Sequence, residues 1–383
     1  MTVLSFIAGL LSLGSLSYVG FSILRVVAFG RRARERNGIT PPLTILKPVC
    51  GLEAELYENL RSFCAQDYPD FQVLFGLADA DDPALPVIRR LIGEFPERDM
   101  DVVIDGHLLG TNRKVSNLAN MYPRARHDIL VIADSDMRVG PDYLRVVAGA
   151  FADEKVGAVT CLYRGRPARA DLASVLGSAF INEWFLPSVL VAAGVQGIRY
   201  CFGATMAVRR ELLDRIGGFA TLAPLLADDY MLGNMVSDMG YRVELSPYVV
   251  ENIVSEGSLG DLFGHELRWA RTVRSVQPLG YTFSLVTHAL PMSLLYLGVT
   301  RAPWLGVAAV AAALSLRVLM QYVSRRSLDT RMPLRPWLVP LRDLLSFAVW
   351  AASFFGNNIS WRRHRFQVDD NGQIVLNERK ETI

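Results

Sequence analysis

The chain has 383 residues, of which 51% are hydrophobic, and its mean hydropathy is +0.24. This length accommodates one α/β domain of ordinary size together with membrane helices, and the composition is too apolar for an ordinary soluble enzyme. The formal net charge of +2 gives no global basic field of the kind that binds nucleic acid. We therefore expect a membrane protein with no nucleic-acid partner.

The first predicted element is an apolar helix over residues 3–29, which is long enough to cross a bilayer. Basic residues lie near its end and just after it: Arg25, Arg31, Arg32, Arg34 and Arg36. A cleaved signal peptide, the alternative, would carry them before the apolar run and a small-residue cleavage site after it. The observed order favours a retained anchor, residues 1–29, followed by a cytoplasmic basic linker, residues 30–42.

Residues 43–278 are predicted to form a cytoplasmic domain, because short apolar runs alternate there with helix-like stretches. The alternation indicates an α/β fold with a mostly parallel sheet covered on both faces. Ligands of such sheets bind at the carboxyl ends of the strands. The strands are expected at 43–48, 72–78, 101–104, 128–133 and 156–162, and the helices at 53–65, 84–95, 113–125 and 141–151.

One apolar segment inside this domain, residues 172–193, is predicted to be an interfacial or buried helix rather than a membrane span. Asn182, Glu183 and Pro187 lie near its middle, and a bilayer core disfavours such residues. A span there would also place the motifs before it and after it on opposite sides of the membrane.

Residues 279–360 are predicted to form a C-terminal cluster of two to three membrane helices, and residues 361–383 a tail. Apolar runs of sufficient length for a span occur at 279–299 and 303–323.

The third apolar run, 337–355, contains Pro340, Arg342 and Asp343. Charges inside a membrane segment need partners or a wet surface. A third span would place the C-terminus outside, whereas the arginines that follow the run favour the inside. A re-entrant or interfacial third segment would reconcile the two, and the sequence leaves the side of the C-terminus open.

The candidate metal site is the acidic tripeptide Asp134-Ser135-Asp136, directly after the strand predicted over 128–133. Two carboxylates that are two residues apart in an extended chain point to the same side. There they can hold one hard divalent cation, Mg²⁺ or Mn²⁺, against a diphosphate. A solvated turn with two chance acids is the alternative, and the position after a buried strand favours metal binding.

Two further residues are candidates for binding a nucleotide. Asp79 closes the second strand, where an acid commonly bonds a ribose or a base edge. Asp81 and Asp82 are assigned to capping of the next helix. Lys114 lies at the start of the helix predicted over 113–125, and a lysine at a helix N-terminus suits a phosphate. A solvated basic cap is the alternative for that stretch.

Asp228 and Asp229 begin another predicted helix. Paired acids at a helix start can be caps that the helix dipole favours. One of them can also be a general base whose pKa is raised by its neighbour. The residues themselves leave both interpretations open.

A predicted helix just before the C-terminal apolar runs carries His265, Arg268, Trp269 and Arg271. His265, Arg268 and Arg271 follow one another at intervals of three residues, so neighbouring members of this series share a face of the helix. Arginine forks bind diphosphate oxygens, and a tryptophan offers a flat apolar surface to an acceptor. A belt of Arg and Trp at the membrane interface is the alternative.

The order of these motifs resembles the inverting glycosyltransferases of the GT-A fold that act on lipids or extend polymers. The single N-terminal anchor and the C-terminal membrane cluster are similar to glycosyltransferase family 21, the ceramide glucosyltransferase-like enzymes. The resemblance is closest to the bacterial hopanoid-biosynthesis-associated glycosyltransferases. It is carried by the stretches TNRKVSNL, VIADSDMRV, VTCLYRGRP, CFGATMAVRRE, LADDY and HELRWARTVR. His265 departs from the pattern of the wider group, which has Gln or Arg at that position.

The resemblance implies a multi-pass enzyme of the inner (cytoplasmic) membrane that transfers one sugar from a UDP-sugar to a lipid hydroxyl, with inversion. The lipid would be bacteriohopanetetrol, which receives N-acetylglucosamine, or alternatively ceramide, which receives glucose. The implied roles are a general base (Asp229), a catalytic pair (Arg268 and Trp269), UDP-sugar ligands (Asp79, Lys114, Asp134 and Arg268), ligands of Mg²⁺ or Mn²⁺ (Asp134 and Asp136) and further candidates (His265, Arg271 and Asp228).

Three other functions are less consistent with the sequence. A polysaccharide synthase needs a channel, which usually takes more spans than two or three. A transporter is disfavoured because the spans lack acidic residues and broken-helix repeats. An inactive membrane scaffold with a transferase fold is disfavoured because Asp134, Asp136, Asp229, Arg268 and Trp269 are all present.

Overall fold

The structure, a computed structural model, describes residues 3–32, 38–330, 332–356, 358–361, 364–368 and 374–376. Arg34 and Arg36 of the predicted linker, and Arg362 and Arg363 after the last apolar run, lie outside the described residues. The chain divides into two compact units. The sheet unit comprises Ala33–Tyr163, Ile198–Ile253 and Phe366–Ile383, and the helical unit comprises Met1–Arg32, Arg164–Gly197 and Val254–Arg365.

The secondary structure of the described residues alternates between strands and helices up to residue 254 and is mainly helical from there to residue 352. The helices are α1 (Val3–Gly30), α2 (Leu56–Cys64), α3 (Leu85–Glu94), α4 (Arg113–Met121), α5 (Tyr143–Gly149), α6 (Leu172–Phe180), α7 (Leu186–Gln196), α8 (Arg210–Arg215), α9 (Gly218–Leu222), α10 (Asp228–Asp238), α11 (Leu259–Val276), α12 (Pro278–Phe283), α13 (Ala289–Val299), α14 (Pro303–Leu328) and α15 (Val339–Ala352). The strands are β1 (Leu43–Pro48), β2 (Phe71–Leu77), β3 (Asp99–Ile104), β4 (Ile129–Ile132), β5 (Met137–Arg138), β6 (Val156–Pro167), β7 (Met206–Arg209), β8 (Arg242–Val254), β9 (Asn358–Trp361), β10 (His364–Val368) and β11 (Ile374–Leu376).

An eight-stranded sheet has the order β3-β2-β1-β4-β7-β6-β8-β5. The strands β3, β2, β1 and β4 are parallel to one another. By contrast, β7 is antiparallel to β4 and β6, and β5 is antiparallel to β8. The predicted α/β fold with a mostly parallel sheet is confirmed, and the first four predicted strands agree with β1–β4 to within two residues.

The parallel strands position the candidate residues at one edge of this sheet. Every residue of β1, β2 and β4 is buried, as expected of parallel strands covered on both faces. Leu46 of β1 pairs with Leu74 of β2 and with Ile132 of β4. The carboxyl ends of the three strands therefore meet at the same edge, and Asp79 and Asp134 follow them there.

In the helical unit, α1 packs against α7, α13 and α14. Small residues such as Ser5, Ala8, Ser12 and Ser15 are buried along one face of α1. The hydroxyl oxygens of Ser12 and Ser293 lie 3.0 Å apart. Small side chains let helices approach closely in a membrane, where packing rather than the hydrophobic effect holds them together.

Three helices of the described residues are long and apolar enough to cross a membrane: α1, the continuous helix Leu172–Gln196, and α14. N-terminal and C-terminal membrane helices are thus confirmed. A further candidate span, Pro278–Thr287 with Ala289–Val299, is bent by 66°, so the single straight span predicted over 279–299 is two helices at an angle. Pro291 accounts for the break, because its ring would clash with the carbonyl of Thr287 in a continuous helix.

Two predicted segments differ from α1 and α14. The helix Leu172–Gln196 contains a π-helical turn at Ile181–Phe185, and 67% of its most apolar stretch is buried. Its interpretation as an interfacial or buried helix stays a prediction. The third apolar run forms α15, whose 14 residues are fewer than the roughly 20 that a span needs. The boundaries predicted between anchor, linker, domain and membrane cluster also stay predictions.

Candidate active site

The first feature of the site is an ion pair that joins the acidic tripeptide to the start of α4. Asn112 caps α4, and its side chain accepts a hydrogen bond from the Val115 N–H at 3.1 Å. This cap orients the next turn, in which Lys114 Nζ lies 2.7 Å from Asp134 Oδ1 and 3.4 Å from Asp228 Oδ2. The structure therefore brings three of the predicted residues together.

Lys114 is a permanent cation in this cluster. Burial alone would lower the pKa of its ammonium group, but the carboxylates of Asp134, Asp228 and Asp229 outweigh burial and raise the pKa above its ordinary value. A charged ammonium group at a helix start is well suited to a phosphate.

Asp228, in the first turn of α10, contacts this cluster. Its Oδ1 accepts from Asn112 Nδ2 at 3.3 Å, and the same Nδ2 donates to the Leu225 carbonyl at 2.9 Å. The N-cap residue of α10 is Ala227, and Asp228 and Asp229 lie in the first turn of the helix. A lysine and an asparagine more than 110 residues earlier in the chain thus bind the carboxylate oxygens of Asp228, and a contribution of Asp228 to the start of α10 stays a prediction.

Asp229 is held by two backbone N–H groups. Its Oδ2 accepts from Gly203 N and its Oδ1 from Tyr230 N, both at 2.8 Å. Burial and the charge of Asp228 together raise the pKa of Asp229 to about 6, against the opposing charge of Lys114. A carboxylate with this pKa is ionised at neutral pH and is more basic than an ordinary aspartate, which suits a general base.

Gly203 separates Asp229 from Asp134. Its N–H bonds Asp229, and its carbonyl accepts from Asp134 N at 3.3 Å. A Cβ atom at this position would lie 2.6 Å from Asp134 Oδ2, which is closer than real contacts allow. A glycine at position 203 thus lets the backbone lie against both carboxylates.

The second acid of the tripeptide, Asp136, lies among other carboxylates. Its Oδ2 accepts from Asn252 Nδ2 at 2.9 Å, while Ser135 Oγ donates to Glu53 Oε2 at 2.6 Å. Burial, together with the charges of Glu53 and Asp134, raises the pKa of Asp136 to about 7. No group of three or more His, Cys, Asp or Glu side chains that could hold a metal occurs among the described residues.

Several residues of this cluster were not predicted from the sequence: Lys47, Glu53, Asn112, Gly203 and Asn252. Lys47 is fully buried, and its Nζ donates to the Asp134 carbonyl at 2.5 Å and lies 3.8 Å from the centre of the Phe63 ring. The signal for Lys47 is a lone charge in an otherwise apolar strand. Asn112 has the local signal of a helix N-cap. Glu53, Gly203 and Asn252 have no comparable signal, because their partners are far away in the chain.

Asp79 lies apart from these contacts. It is exposed after β2, and its Oδ1 accepts from Asp81 N at 2.9 Å. Asp82 accepts from Gly51 N and from Ala84 N, just before α3, whose N-cap residue is Ala84. The capping role of Asp81 and Asp82 stays a prediction. The nucleotide-binding role of Asp79 stays a prediction.

The four remaining candidates are on α11, in the helical unit. His265 Nδ1 lies 2.5 Å from Glu256 Oε1, and the His265 ring contacts the edge of Trp269 with ring centres 4.6 Å apart. The ring centre of Trp269 also lies 6.3 Å from the ring centres of both Phe180 and Phe185. In addition, Arg271 Nη2 donates to the Phe355 carbonyl at 2.6 Å, and Arg268 is half-buried.

Comparison with solved structures confirms the type of fold. The chain is similar to the mannosyltransferase PcManGT from Pyrobaculum calidifontis, solved in complex with GDP-Man and Mn²⁺, with a TM-score of 0.56 and 20% identity. The match covers 92% of this chain and 99% of that one. The GT-A fold expected from the sequence is thereby confirmed.

Comparison with curated proteins and protein families gives the family. Ceramide glucosyltransferase 1 of Caenorhabditis elegans is 24% identical over 369 residues, which cover 91% of this chain and 76% of the relative. The ceramide glucosyltransferase of Candida albicans is 34% identical over 116 residues, which cover 27% and 21%. The model of glycosyl transferase family 21 matches residues 8–374. The chain belongs to glycosyl transferase family 21 and is a membrane-associated glycosyltransferase.

Proposed function

We propose that this glycosyltransferase moves one glucose from UDP-glucose to a hydroxyl of a ceramide-like membrane lipid, with inversion. The observation that carries the proposal is the cluster of Lys114, Asp134, Asp228 and Asp229 at the carboxyl edge of the sheet. The relatives described above are ceramide glucosyltransferases, which favours the second of the two acceptors expected from the sequence. Transfer of N-acetylglucosamine to bacteriohopanetetrol has no support from these relatives.

Lys114 is proposed to bind the donor diphosphate, because it is charged and lies at a helix N-terminus. Arg268 is proposed to add a guanidinium fork to the diphosphate, and Trp269 an apolar surface for the acceptor. Asp79 is proposed to bond the ribose. His265 and Arg271, each with a partner on or near α11, are proposed to support the α11 motif.

The donor set of Asp134 and Asp136 fits Mg²⁺ or Mn²⁺. Such cations are commonly bound by one or two carboxylates together with substrate phosphates and water, so a third protein ligand is not required. Burial, and after it the charges of Glu53 and Asp134, raise the pKa of Asp136, and a cation bound to its carboxylate would favour the ionised form. A bound cation would stabilise the negative charge of the departing nucleoside diphosphate.

Asp229 is proposed to be the general base. It would take the proton from the lipid hydroxyl while the hydroxyl oxygen attacks the anomeric carbon and the bond from that carbon to the diphosphate oxygen breaks. The two backbone N–H groups on its carboxylate hold the carboxylate in one orientation, and each oxygen retains a second lone pair for the proton. One displacement inverts the configuration, and no covalent intermediate is needed.

The test of the proposed function is transfer of label to lipid. Membranes containing the protein, and matched membranes without it, receive UDP-[¹⁴C]glucose or UDP-[¹⁴C]N-acetylglucosamine with ceramide or bacteriohopanetetrol. We expect labelled lipid only with the glucose donor and ceramide. Label in bacteriohopanetetrol would identify the other lipid acceptor, label in polymer would identify a synthase, and no incorporation would favour the inactive scaffold.

We also propose that the sheet unit faces the cytoplasm, because Arg31 and Arg32 follow α1 directly. A Cβ atom added at Gly38 would meet no heavy atom within 4 Å, so Gly38→Cys is a suitable reporter. Cys50 is exposed and is first replaced with Ser. A membrane-impermeant maleimide should label the variant in inverted vesicles and leave it unlabelled in intact cells; labelling in intact cells would reverse the orientation.

A further inference from the structure

We propose that Arg342 of α15, through its ion pair with Glu266 of α11, is a positioning residue for Arg268 and Trp269. This inference rests on the proposed function, which assigns Arg268 and Trp269 their roles in transfer. Arg342 and Asp343 are the two charges that interrupt the third apolar run of the sequence, and both are buried.

Arg342 forms a buried bidentate ion pair with Glu266. Its Nη1 and Nη2 donate to Glu266 Oε1 and Oε2 at 2.7 and 2.6 Å, in a two-pronged contact. The side chains of Arg342 and Glu266 are only 1% and 4% exposed. A planar guanidinium that meets a carboxylate in this way fixes direction as well as distance.

The same guanidinium also contacts α6. Its Nη1 donates to the Leu176 carbonyl at 3.1 Å, and its central carbon, Cζ, lies 5.3 Å from the centre of the Phe180 ring. Phe180 is one of the two phenylalanine rings against which Trp269 lies. One buried arginine thus joins α15 to α11 and to the residue beside Trp269.

The position of Glu266 on α11 relates its ion pair with Arg342 to Arg268 and Trp269. Successive residues of an α-helix are separated by about 100° around the axis, so Arg268 is about 200° from Glu266 and points to nearly the opposite face. A carboxylate locked on one face fixes the rotation of α11 about its axis. We therefore expect the pair to set the direction of the Arg268 side chain and the position of Trp269.

A second buried ion pair in the same unit provides a matched control. Asp343, the next residue of α15, bonds Arg317 of α14 at 2.8 to 3.0 Å, with side chains 6% and 5% exposed. Arg317 also donates to the Glu183 carbonyl at 2.7 Å. This pair is as buried as the first, but neither partner is on α11. If each buried ion pair only stabilises the fold, replacement of either pair should have the same effect on turnover and on UDP affinity.

The experiment replaces each pair with apolar residues of similar size, since such replacement often leaves stability unchanged whereas removal of one partner does not. The full-length variants Glu266→Leu/Arg342→Met and Asp343→Leu/Arg317→Met are compared with the parent in detergent. Thermal unfolding gives the folded fraction, lipid labelling gives turnover per folded molecule, and calorimetry gives the affinity for UDP.

We expect Glu266→Leu/Arg342→Met to fold and to lose about 100-fold in turnover, as misplacement of a catalytic group by about 1 Å can do, with weaker UDP binding. The control pair should keep the turnover and UDP affinity of the parent. Arg342→Lys, which keeps the charge and loses the fork, should give intermediate turnover. It also serves as the test if the double variant does not fold.

Parental turnover in Glu266→Leu/Arg342→Met, or in Arg342→Lys, would overturn the inference, and so would an equal loss in the control pair. Arg268→Ala separates this outcome from failure of the proposed function. If Arg268→Ala keeps parental turnover, the role of α11 in transfer is wrong and the inference falls with it. If Arg268→Ala is inactive while the Glu266 and Arg342 variants are normal, only the positioning role is wrong.

Discussion

Replacement of Asp134 with alanine should lower sugar transfer by about a thousandfold or more, because a catalytic cation contributes several kcal/mol of charge stabilisation and Asp134 is proposed to hold it. Asp136→Ala should have the same effect. Lipid labelling by the purified variants measures the loss. Asp70→Ala is the matched control, since this exposed carboxylate lies just before β2, at the opposite edge of the sheet, and we expect parental turnover.

Chelation of the parent enzyme should reproduce the loss, and added Mg²⁺ or Mn²⁺ should reverse it. The same addition should leave Asp134→Ala inactive, because the variant lacks a carboxylate and not a cation. Lys114, 2.7 Å from Asp134, should stay charged throughout and cannot replace the divalent ion. Full transfer by the parent in excess chelator would show that the two aspartates act without a metal.

The strands that carry these aspartates could be predicted because their signals are local. Buried parallel strands have continuous apolar sequences, and β1, β2 and β4 are buried at every residue. Polar residues that follow such runs mark the carboxyl edge of the sheet. The position of Asp134 and Asp136 at this edge could therefore be predicted from local sequence alone.

The residues that surround these aspartates could not be predicted, because their partners are distant in the chain. Gly203 reaches Asp134 through the antiparallel pairing of β7 with β4, which strand-helix alternation does not predict. The partners of Asp228 could not be predicted from the local sequence either. A local rule assigns an acid at a helix start to capping, but in the structure Lys114 and Asn112 bind its carboxylate.

For the two charges of α15, the sequence predicts that each has a partner but does not identify that partner. Arg342 and Asp343 required partners because isolated charges are costly in an apolar environment. The structure supplies Glu266 and Arg317, which are 76 and 26 residues away in the chain. The requirement followed from the sequence, whereas the identity of the partners depended on how α11, α14 and α15 pack.

Asp229→Asn should lower turnover by about a hundred- to ten-thousandfold, the usual contribution of a general base, while the affinity for the UDP-sugar changes little. The amide cannot take a proton from the lipid hydroxyl. It also cannot accept both backbone hydrogen bonds that Asp229 receives from Gly203 and Tyr230. Calorimetry with the donor and thermal unfolding therefore accompany lipid labelling, so that loss of basicity is separated from a local change of structure.

The pH dependence of turnover gives a second measurement of the same role. A general base is active when ionised, and the pKa of Asp229 is raised to about 6. Turnover of the parent should therefore fall as the pH is lowered through about 6 and level off above it. Saturating divalent cation is added to keep Asp136 ionised, and because its charge also lowers the pKa of Asp229, the step that reports Asp229 should lie at about 6 or below. The residual turnover of Asp229→Asn should lack the step.

Two comparison variants decide whether the base is assigned to the correct member of the acid pair. Asp228→Asn should be milder than Asp229→Asn, because it weakens the contacts with Lys114 and Asn112 and leaves the base in place. Arg268→Ala should weaken donor binding as well as turnover, because its fork would hold phosphate before and during transfer. An inactive Asp228→Asn beside an active Asp229→Asn would transfer the role of base to Asp228. If Asp229→Asn loses donor affinity as severely as turnover, Asp229 binds the nucleotide or the cation, and another residue takes the proton.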